Sequence, residues 1–418
     1  MKVLMYGWEF PPIQSGGLGV ACRGIVEGLL GHQQEVYLVL PKTDPAMQLC
    51  DPDQLKILSA SQSGGVVDVK SIPTTLYSPY ATSESSFQSY LKEALTTDEP
   101  HAIYGKNMME EVHRYAAQAA VHAKHLPHDV IHTHDWLTAE AGVQAKKISQ
   151  KPLVMHVHAT EFDRSGDHPN QQVYDLERRG MYHADRVIAV SQYTKRMLMK
   201  HYGVPEWKID VVHNAVSDAK QYQKTHRLNP NDKIVLFLGR MTMQKGPDYF
   251  LKMAKKVLTH MQNVKFIMAG DGDMMQQIIQ MSLELGIERH VLFSGFLKGN
   301  EIARAYGEAD LYVMPSISEP FGITPLEAIK QGTPVLISKQ SGVSEAIKSA
   351  LRVDFWDVDE MAEKVIAALS YPALHQVLAE HSQRELKSLS WHDKAGEIVD
   401  TYKKAVEARL IAPLRNPK

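Results

Sequence analysis

Short apolar runs alternate with longer stretches of helical period along almost the whole chain, and the alternation starts over once near the middle. This rhythm limits the fold more than any single motif. A run that is apolar at every position needs cover on both faces, and crossover helices between parallel strands supply it. The opening "KVLMYGW" reads as a strand, "GLGVACRGIVEGLLGH" as the helix after a glycine-rich turn, and "EVYLVLP" as a second strand. "DVIHTH", "LVMHVH", "RVIAVS" and "IDVVHN" continue the series, a polar stretch from about Val216 to Asn231 breaks it, and "KIVLFLG", "VKFIMAG", "HVLFSG", "LYVMPS" and "PVLIS" begin it again. The pattern predicts an α/β protein with two doubly wound, Rossmann-like domains. We place the first at residues 1–215 and the second at 216–385. A C-terminal helix within 386–418, with Ala395, Ile398, Val399, Tyr402 and Val406 on one side, packs back on the first domain.

A length of 418 residues with 44% apolar content is more than one core usually serves. The 46 basic and 48 acidic residues leave a formal charge of −2, so no global field draws nucleic acid. Two cysteines exclude a disulfide framework and a thiolate metal knuckle. The apolar start is too short for a signal peptide, and no stretch approaches the roughly 20 apolar residues of a membrane span. We therefore expect a cytoplasmic protein without a transmembrane segment, which leaves peripheral membrane contact open. Residues 51–110, rich in Ser, Thr, Gly and Pro, read as loops with an added hairpin.

Several short segments carry chemistry. In "QSGGLG", Gly16 and Gly17 lie between strand and helix, where backbone N–H groups can meet an anion; a tight turn is the plain alternative. In "GRMTMQKG", Arg240 and Lys245 follow the first strand of the second half, at the strand end where α/β sheets bind ligands, and solvated surface charge is the alternative. In "SISEPFGITPLE", Pro320 and Pro325 rule out one continuous helix. A loop through Glu319 is followed by a helix with Thr324 as N-cap, Pro325 at its first position and Glu327 closing a capping box. Glu319 has no such local explanation. "HTHDW" and "HVHATEFDR" end two strands, and the i, i+2 pairs His132/His134 and His156/His158 each share a face. Metal ligation by these imidazoles competes with a polar wall, which fits better. The three Asp-x-Asp matches, "DPD", "DGD" and "DVD", are too short to signify a metal site.

Together these segments resemble the retaining, nucleotide-sugar-dependent glycosyltransferases of the GT-B architecture, family four (glycosyltransferase group 1), with features of glycogen and starch synthases. The likeness rests on "SGGLG", "HTHDW", "HVHATE", "VIAVSQYTKRML", "VVHNAV", "LGRMTMQKG", "MAGDGDM", "VDFWDVDEMAEKV" and above all Glu319 to Glu327, which is similar to the family's Glu-x7-Glu signature. The resemblance implies two domains facing a cleft and transfer of a hexose, glucose first, from a UDP-, ADP- or GDP-hexose to a carbohydrate acceptor such as an α-glucan. It implies no metal and no cofactor. By the same resemblance Glu319 holds donor-sugar hydroxyls, and the backbone of Phe321, Gly322, Ile323 and Thr324 faces sugar and phosphate. Glu327 binds the ribose, Arg240 and Lys245 stabilise the leaving diphosphate, and Gly16 and Gly17 meet the same diphosphate. His158 stands beside the reacting sugar and Asp135 on the acceptor side. Gln14 departs from the Lys-x-Gly-Gly of bacterial glycogen synthases. A glucosyl or mannosyl transferase for a small or lipid-linked acceptor, or a nucleotide-sugar 2-epimerase, is the alternative.

Overall fold

The computed structural model describes residues 1–13, 16–43, 54–59, 108–217, 222 and 231–411. They fall into two compact units, Met1–Ala215 with Trp391–Lys418, and Val216–Ser390.

In the first unit, β1 (Lys2–Tyr6) leads through the glycine turn to α1 (Gly17–Gly31) and β2 (Glu35–Leu40). β3 (Leu55–Ser59), β4 (Val130–His134), β5 (Leu153–Val157), β6 (Arg186–Ala189) and β7 (Ile209–Val211) complete a sheet of order β3-β2-β1-β4-β5-β6-β7. Every pairing is parallel. Val3, Leu4, Val130, Ile131, Leu153 and Val154 are completely buried, as the uninterrupted apolar runs require. The helix α2 (Asp135–Ser149) starts directly at the end of β4.

The second unit repeats the scheme with β8 (Lys233–Leu238), α3 (Pro247–Leu258), β9 (Val264–Ala269), β10 (Val291–Gly295), β11 (Leu311–Met314), α4 (Thr324–Lys330), β12 (Val335–Ser338) and β13 (Leu351–Val353). Its order is β10-β9-β8-β11-β12-β13, again all parallel. The apolar stripe of α3, with Phe250, Leu251, Ala254 and Val257, is buried in the core of this sheet. In each sheet the chain reverses its direction of winding at one place, between β1 and β4 and between β8 and β11. At such a switch the connections leave the two strand ends in opposite directions and open a crevice.

Of residues 51–110, read as loop and hairpin, Leu55–Ser59 is a parallel edge strand on β2, and a helix begins at Met108. The run "LKILS" is too short and too polar to stand out as a strand, and an edge position asks for no more. The rest of that segment lies outside the described residues, as does Gln14.

The C-terminal helix, Trp391–Ile411, belongs to the first unit and lies along α1. Ala395, Ile398, Val399 and Tyr402 face inward. The approach is close because α1 turns two glycines toward it. A Cβ on Gly24 would sit 2.2 Å from the Trp391 ring, and one on Gly28 would sit 2.3 Å from the Trp391 carbonyl oxygen. Lys404 adds an ion pair with Asp210 at 2.8 Å. The Gly28 contact involves backbone, which cannot swing aside as a side chain can. Gly28→Val is therefore expected to cost about 1–3 kcal/mol by overpacking, read as a lower urea midpoint. An unchanged midpoint would show that the helix seats differently.

Candidate active site

The connection leaving β8 runs through Arg240 to a 3-10 turn, Met243–Lys245, before α3 begins. Gly246 has φ 65°, and a Cβ there would meet the Pro315 carbonyl oxygen at 2.3 Å, so glycine lets this turn lie against the exit of β11. The Ile317 N–H donates to the Gln244 carbonyl at 2.9 Å and ties the two loops together. The consequence is a Lys245–Glu319 pair, Nζ to Oε2 at 2.5 Å, with side chains only 20% and 8% exposed. Glu319 is held from behind as well. Its N–H donates to the Gln340 carbonyl at 3.0 Å, its own carbonyl accepts from the Gly342 N–H at 2.9 Å, and the Ser316 hydroxyl reaches Oε2 at 3.4 Å. Phe321 is buried and its carbonyl accepts from the Val343 N–H at 2.7 Å, while Gly322 takes φ 98°.

The capping box at α4 does not form. Ile323 is the N-cap and already has helical angles, φ −76° and ψ −33°, so Thr324 is the first residue of the helix and its hydroxyl does not cap. Instead Thr324 Oγ1 accepts from the Tyr312 hydroxyl at 2.8 Å, and Glu327 Oε2 accepts from the Tyr306 hydroxyl at 3.0 Å. A buried charge-assisted bond is worth about 1.5–3 kcal/mol against about 1 for a cap, which favours the observed geometry. Burial lifts the Glu327 carboxyl above its ordinary range, and the Tyr306 bond opposes the lift.

In the first unit Gly16 is the N-cap of α1, in extended conformation and without a side-chain cap, and a Cβ on Gly16 or Gly17 would meet nothing within 4 Å. Packing therefore does not require these two glycines among the described residues. Gly16 and Gly17 stand at the positive end of a 15-residue helix, the kind of end that can meet an anion.

At the neighbouring switch strand, register decides the rest. His134 pairs with His156 across β4 and β5, so both i, i+2 pairs come to one face and four imidazoles stack. Ring centroids lie 4.5 Å apart for His132/His134, 5.5 Å for His132/His156, 5.7 Å for His134/His156 and 4.3 Å for His156/His158. Nitrogens of His132, His134 and His156 all lie within 4.8 Å of one another. A zinc ion sits about 2.0–2.1 Å from each nitrogen, along its in-plane lone pair, whereas these ring planes are tilted only 30°, 14° and 28° from parallel. The rings face one another, an arrangement that fits a stack of polar side chains better than ligands pointing at one ion. The stack's neighbours on the far side are specific: His132 Nδ1 meets the Tyr402 hydroxyl of the C-terminal helix at 2.5 Å, and His134 Nδ1 meets His158 Nε2 at 3.0 Å.

Asp135 begins α2 in the left-handed region, φ 53°, a strained conformation that aspartate tolerates better than most residues. Its Oδ1 accepts from the His158 N–H at 2.6 Å and the Ala159 N–H at 3.3 Å. Burial pushes its carboxyl up to about 6, against the Arg164 charge and those two N–H bonds. Sequence reasoning passed over Arg164, whose Nη1 lies 3.3 Å from Glu177 and 3.7 Å from Glu161. Thr160 and Asp163 form the capping box that starts this turn, and the Thr-x-x-Asp spacing in "TEFD" announces it. Glu177, thirteen residues beyond Arg164, gives no local signal. The Asp-x-Asp matches have structural duties: Asp271 accepts from the Gly272 N–H at 2.8 Å, Asp357 caps a helix through the Glu360 N–H at 2.9 Å, and Asp359 pairs with Lys256. Asp51 to Asp53 lies outside the described residues.

Two Rossmann-like units in one chain are the architecture of the GT-B glycosyltransferases. Residues 218–385 match the family model "Glycosyl transferases group 1", and residues 2–209 match "Starch synthase catalytic domain". The chain belongs to the group 1, family-four glycosyltransferases and is related to the glycogen and starch synthases. It is a glycosyltransferase. An uncharacterized glycosyltransferase of Methanocaldococcus jannaschii is 29% identical over 426 residues, covering 97% of this chain and 99% of the relative. The glycogen synthase of Mycobacterium tuberculosis is 25% identical over 420 residues, covering 96% and 94%. Among solved structures, Anabaena HepE in complex with UDP and glucose shares the fold, with TM-score 0.67 and 19% identity over 96% of this chain and 99% of that one.

The stacked wall makes a prediction about acid stability. Burial drives the imidazoles of His132 and His158 down to about 3, with His134 and His156 also held well below the ordinary 6.5. The unfolded chain then binds more protons than the folded one from pH 6.5 downward, so the stability that neutral rings contribute is complete above 6.5 and drains as pH falls toward 3. Each ring adds a slope of about 1.4 kcal/mol per pH unit within that window. Urea unfolding of the protein between pH 7 and 5 should show a steep loss, and His156→Leu should reduce its slope by about one ring's share; a flat wild-type profile would contradict the buried neutral rings.

Proposed function

We propose that this glycosyltransferase moves a hexose, glucose first, from a UDP-, ADP- or GDP-linked donor to a carbohydrate acceptor, with an α-glucan as the leading candidate. The observation that carries the reading is the Lys245–Glu319 pair at the end of β8 and β11. A donor diphosphate competes for Lys245 and leaves Glu319 to accept from sugar hydroxyls. Arg240 joins Lys245 on the diphosphate. The Phe321 to Thr324 backbone follows sugar and phosphate, Glu327 takes the ribose hydroxyls, and Gly16 and Gly17 offer the amides of α1 to the diphosphate. His158 stands at the sugar, and Asp135 lies on the acceptor side.

In the reaction the bond from the anomeric carbon to the phosphate oxygen breaks, and its electron pair leaves on the diphosphate. The acceptor hydroxyl bonds to the same face, and its proton passes to the departing phosphate. Charge builds on the leaving group, so fixed cations at that point lower the barrier most. The glucan acceptor is supported by the starch-synthase match across residues 2–209 and the likeness to a glycogen synthase. Gln14, in place of a lysine, favours the second reading of a small or lipid-linked acceptor.

Purified protein with UDP-, ADP- and GDP-linked glucose and mannose, maltooligosaccharides and simple acceptors, followed by NMR, tests this reading. Elongated maltooligosaccharide with retained configuration supports the glucan; transfer only to the simple acceptors replaces it; nucleotide release with an epimerised sugar and no acceptor replaces transfer itself. Lys245→Ala should lower kcat by about 10²–10³-fold, the usual loss for one oxyanion-stabilising donor, with an almost unchanged thermal midpoint. Full turnover at saturating donor would remove Lys245 from the machinery. Glu327→Ala should weaken nucleotide binding about tenfold, measured calorimetrically, as expected for loss of one good hydrogen-bonding carboxylate.

A further inference from the structure

We propose that Tyr249, Phe355 and Trp356 form a carbohydrate-docking platform on the second unit, which holds a stretch of a long α-glucan chain outside the donor machinery. The inference rests on the reading above for its ligand, an α-glucan.

Trp356 lies just past β13 and is 58% exposed. The segment "VDFWDVDE" has a plain local task, which Asp357 performs by capping the helix Val358–Ser370 through the Glu360 N–H. A cap asks for no aromatic residue before it. Two precede it all the same, with the rings of Phe355 and Trp356 4.9 Å apart at 85°, and Tyr249 from the first turn of α3 adds a third ring 5.2 Å from Phe355 at 80°. A single exposed apolar residue needs no explanation, but contiguous rings on a surface call for one.

The rings are held firmly. The Asp357 N–H donates to the Asp354 carbonyl at 2.9 Å and closes a turn with Phe355 and Trp356 at its centre. Asp354 is fixed by the Lys339 ammonium at 2.8 Å and the Gln340 amide at 2.9 Å, and the Phe355 N–H donates to the Gln340 side-chain oxygen at 3.4 Å. Gln340 is also the residue whose main-chain carbonyl receives the Glu319 N–H. One residue therefore braces both Glu319 and the aromatic turn, and Tyr249 follows Lys245 by a single turn of chain.

The chemistry of this surface selects its ligand. A side chain as exposed as Trp356 keeps a ring face open to solvent. A glucopyranose ring carries C–H groups on its faces and hydroxyls around its rim, so it fits an aromatic face bordered by polar groups. That border is present: Lys252 Nζ lies 4.6 Å from the centre of the Tyr249 ring and 2.8 Å from Asp248, and the Lys339–Asp354 pair stands beside Phe355. Rings already fixed lose little freedom when a chain lies on them, and a second contact raises the effective concentration of a long acceptor at the site of transfer. A short acceptor gains nothing from it.

Electrophoresis of the full chain through gels cast with and without amylopectin reads binding without turnover, and transfer to maltotriose and to amylopectin is measured beside it. We expect amylopectin to retard the wild type, and Trp356→Ala to raise both the apparent Kd and the amylopectin KM about tenfold, the scale of one aromatic contact. Turnover of maltotriose should stay within about twofold. Trp356→Phe should keep most of the retardation and Trp356→Leu should lose it, because a sugar face needs a flat ring and not apolar bulk. A wild type that is not retarded, or a Trp356→Ala or Trp356→Leu variant that runs like the wild type, overturns the platform. Equal losses on maltotriose and amylopectin would put Trp356 in the transfer site itself and overturn the remote role. If retardation depends on Trp356 but neither glucan is elongated, the platform stands and the reading of the acceptor fails.

Discussion

Parallel pairing of β1 with β4 and of β8 with β11 is the constraint on which the chemistry depends. Once those strands are neighbours, the helices that follow them leave in opposite directions. Asp135 comes directly after β4, and Gly16, Lys245 and Glu319 lie on the connections that leave β1, β8 and β11. Apolar side chains lower in each sheet fix the register, and the register fixes which polar groups meet. His134 opposite His156 is the clearest case: a shift of one residue would turn the imidazoles to the other face of the sheet.

Much of this was legible in the sequence. Uninterrupted apolar runs announced the strands because strands covered on both faces are mostly apolar, and the glycine turn and the Glu319 to Glu327 segment stood out just beyond them. What the sequence did not disclose depends on contacts far apart in the chain. Thr324, Pro325 and Glu327 spell a capping box by local rules, yet Tyr306 and Tyr312 reach the same side chains from other elements and win. The two pairs of histidines were visible as pairs, but only the register of β4 against β5 shows that they form one stack. Glu177 and Arg164 find each other through the packing of two helices, for which no short-range pattern exists. The edge strand Leu55–Ser59 was hidden by its brevity.

The first unit places its ionisable groups differently from the second. Around His158 the groups are buried and held by backbone or by one another, and burial keeps the imidazoles neutral and presses Asp135 toward its protonated form. Around Glu319 the arrangement is an ion pair with some solvent access. A neutral wall suits the handling of sugar hydroxyls, whose hydrogen bonds need direction more than charge. A paired lysine suits a ligand that arrives with charge of its own.

The C-terminal helix gives the chain an order of completion. Residues 391–411 belong to the first unit but follow the whole of the second, so on the ribosome the second unit can close while α1 still shows Gly24 and Gly28 bare. Tyr402 reaches His132 only at that last step. The imidazole stack of β4 and β5 is therefore finished by a helix made after the whole of the second unit, and a polypeptide that stops short of it would carry a complete second unit and an incomplete first one.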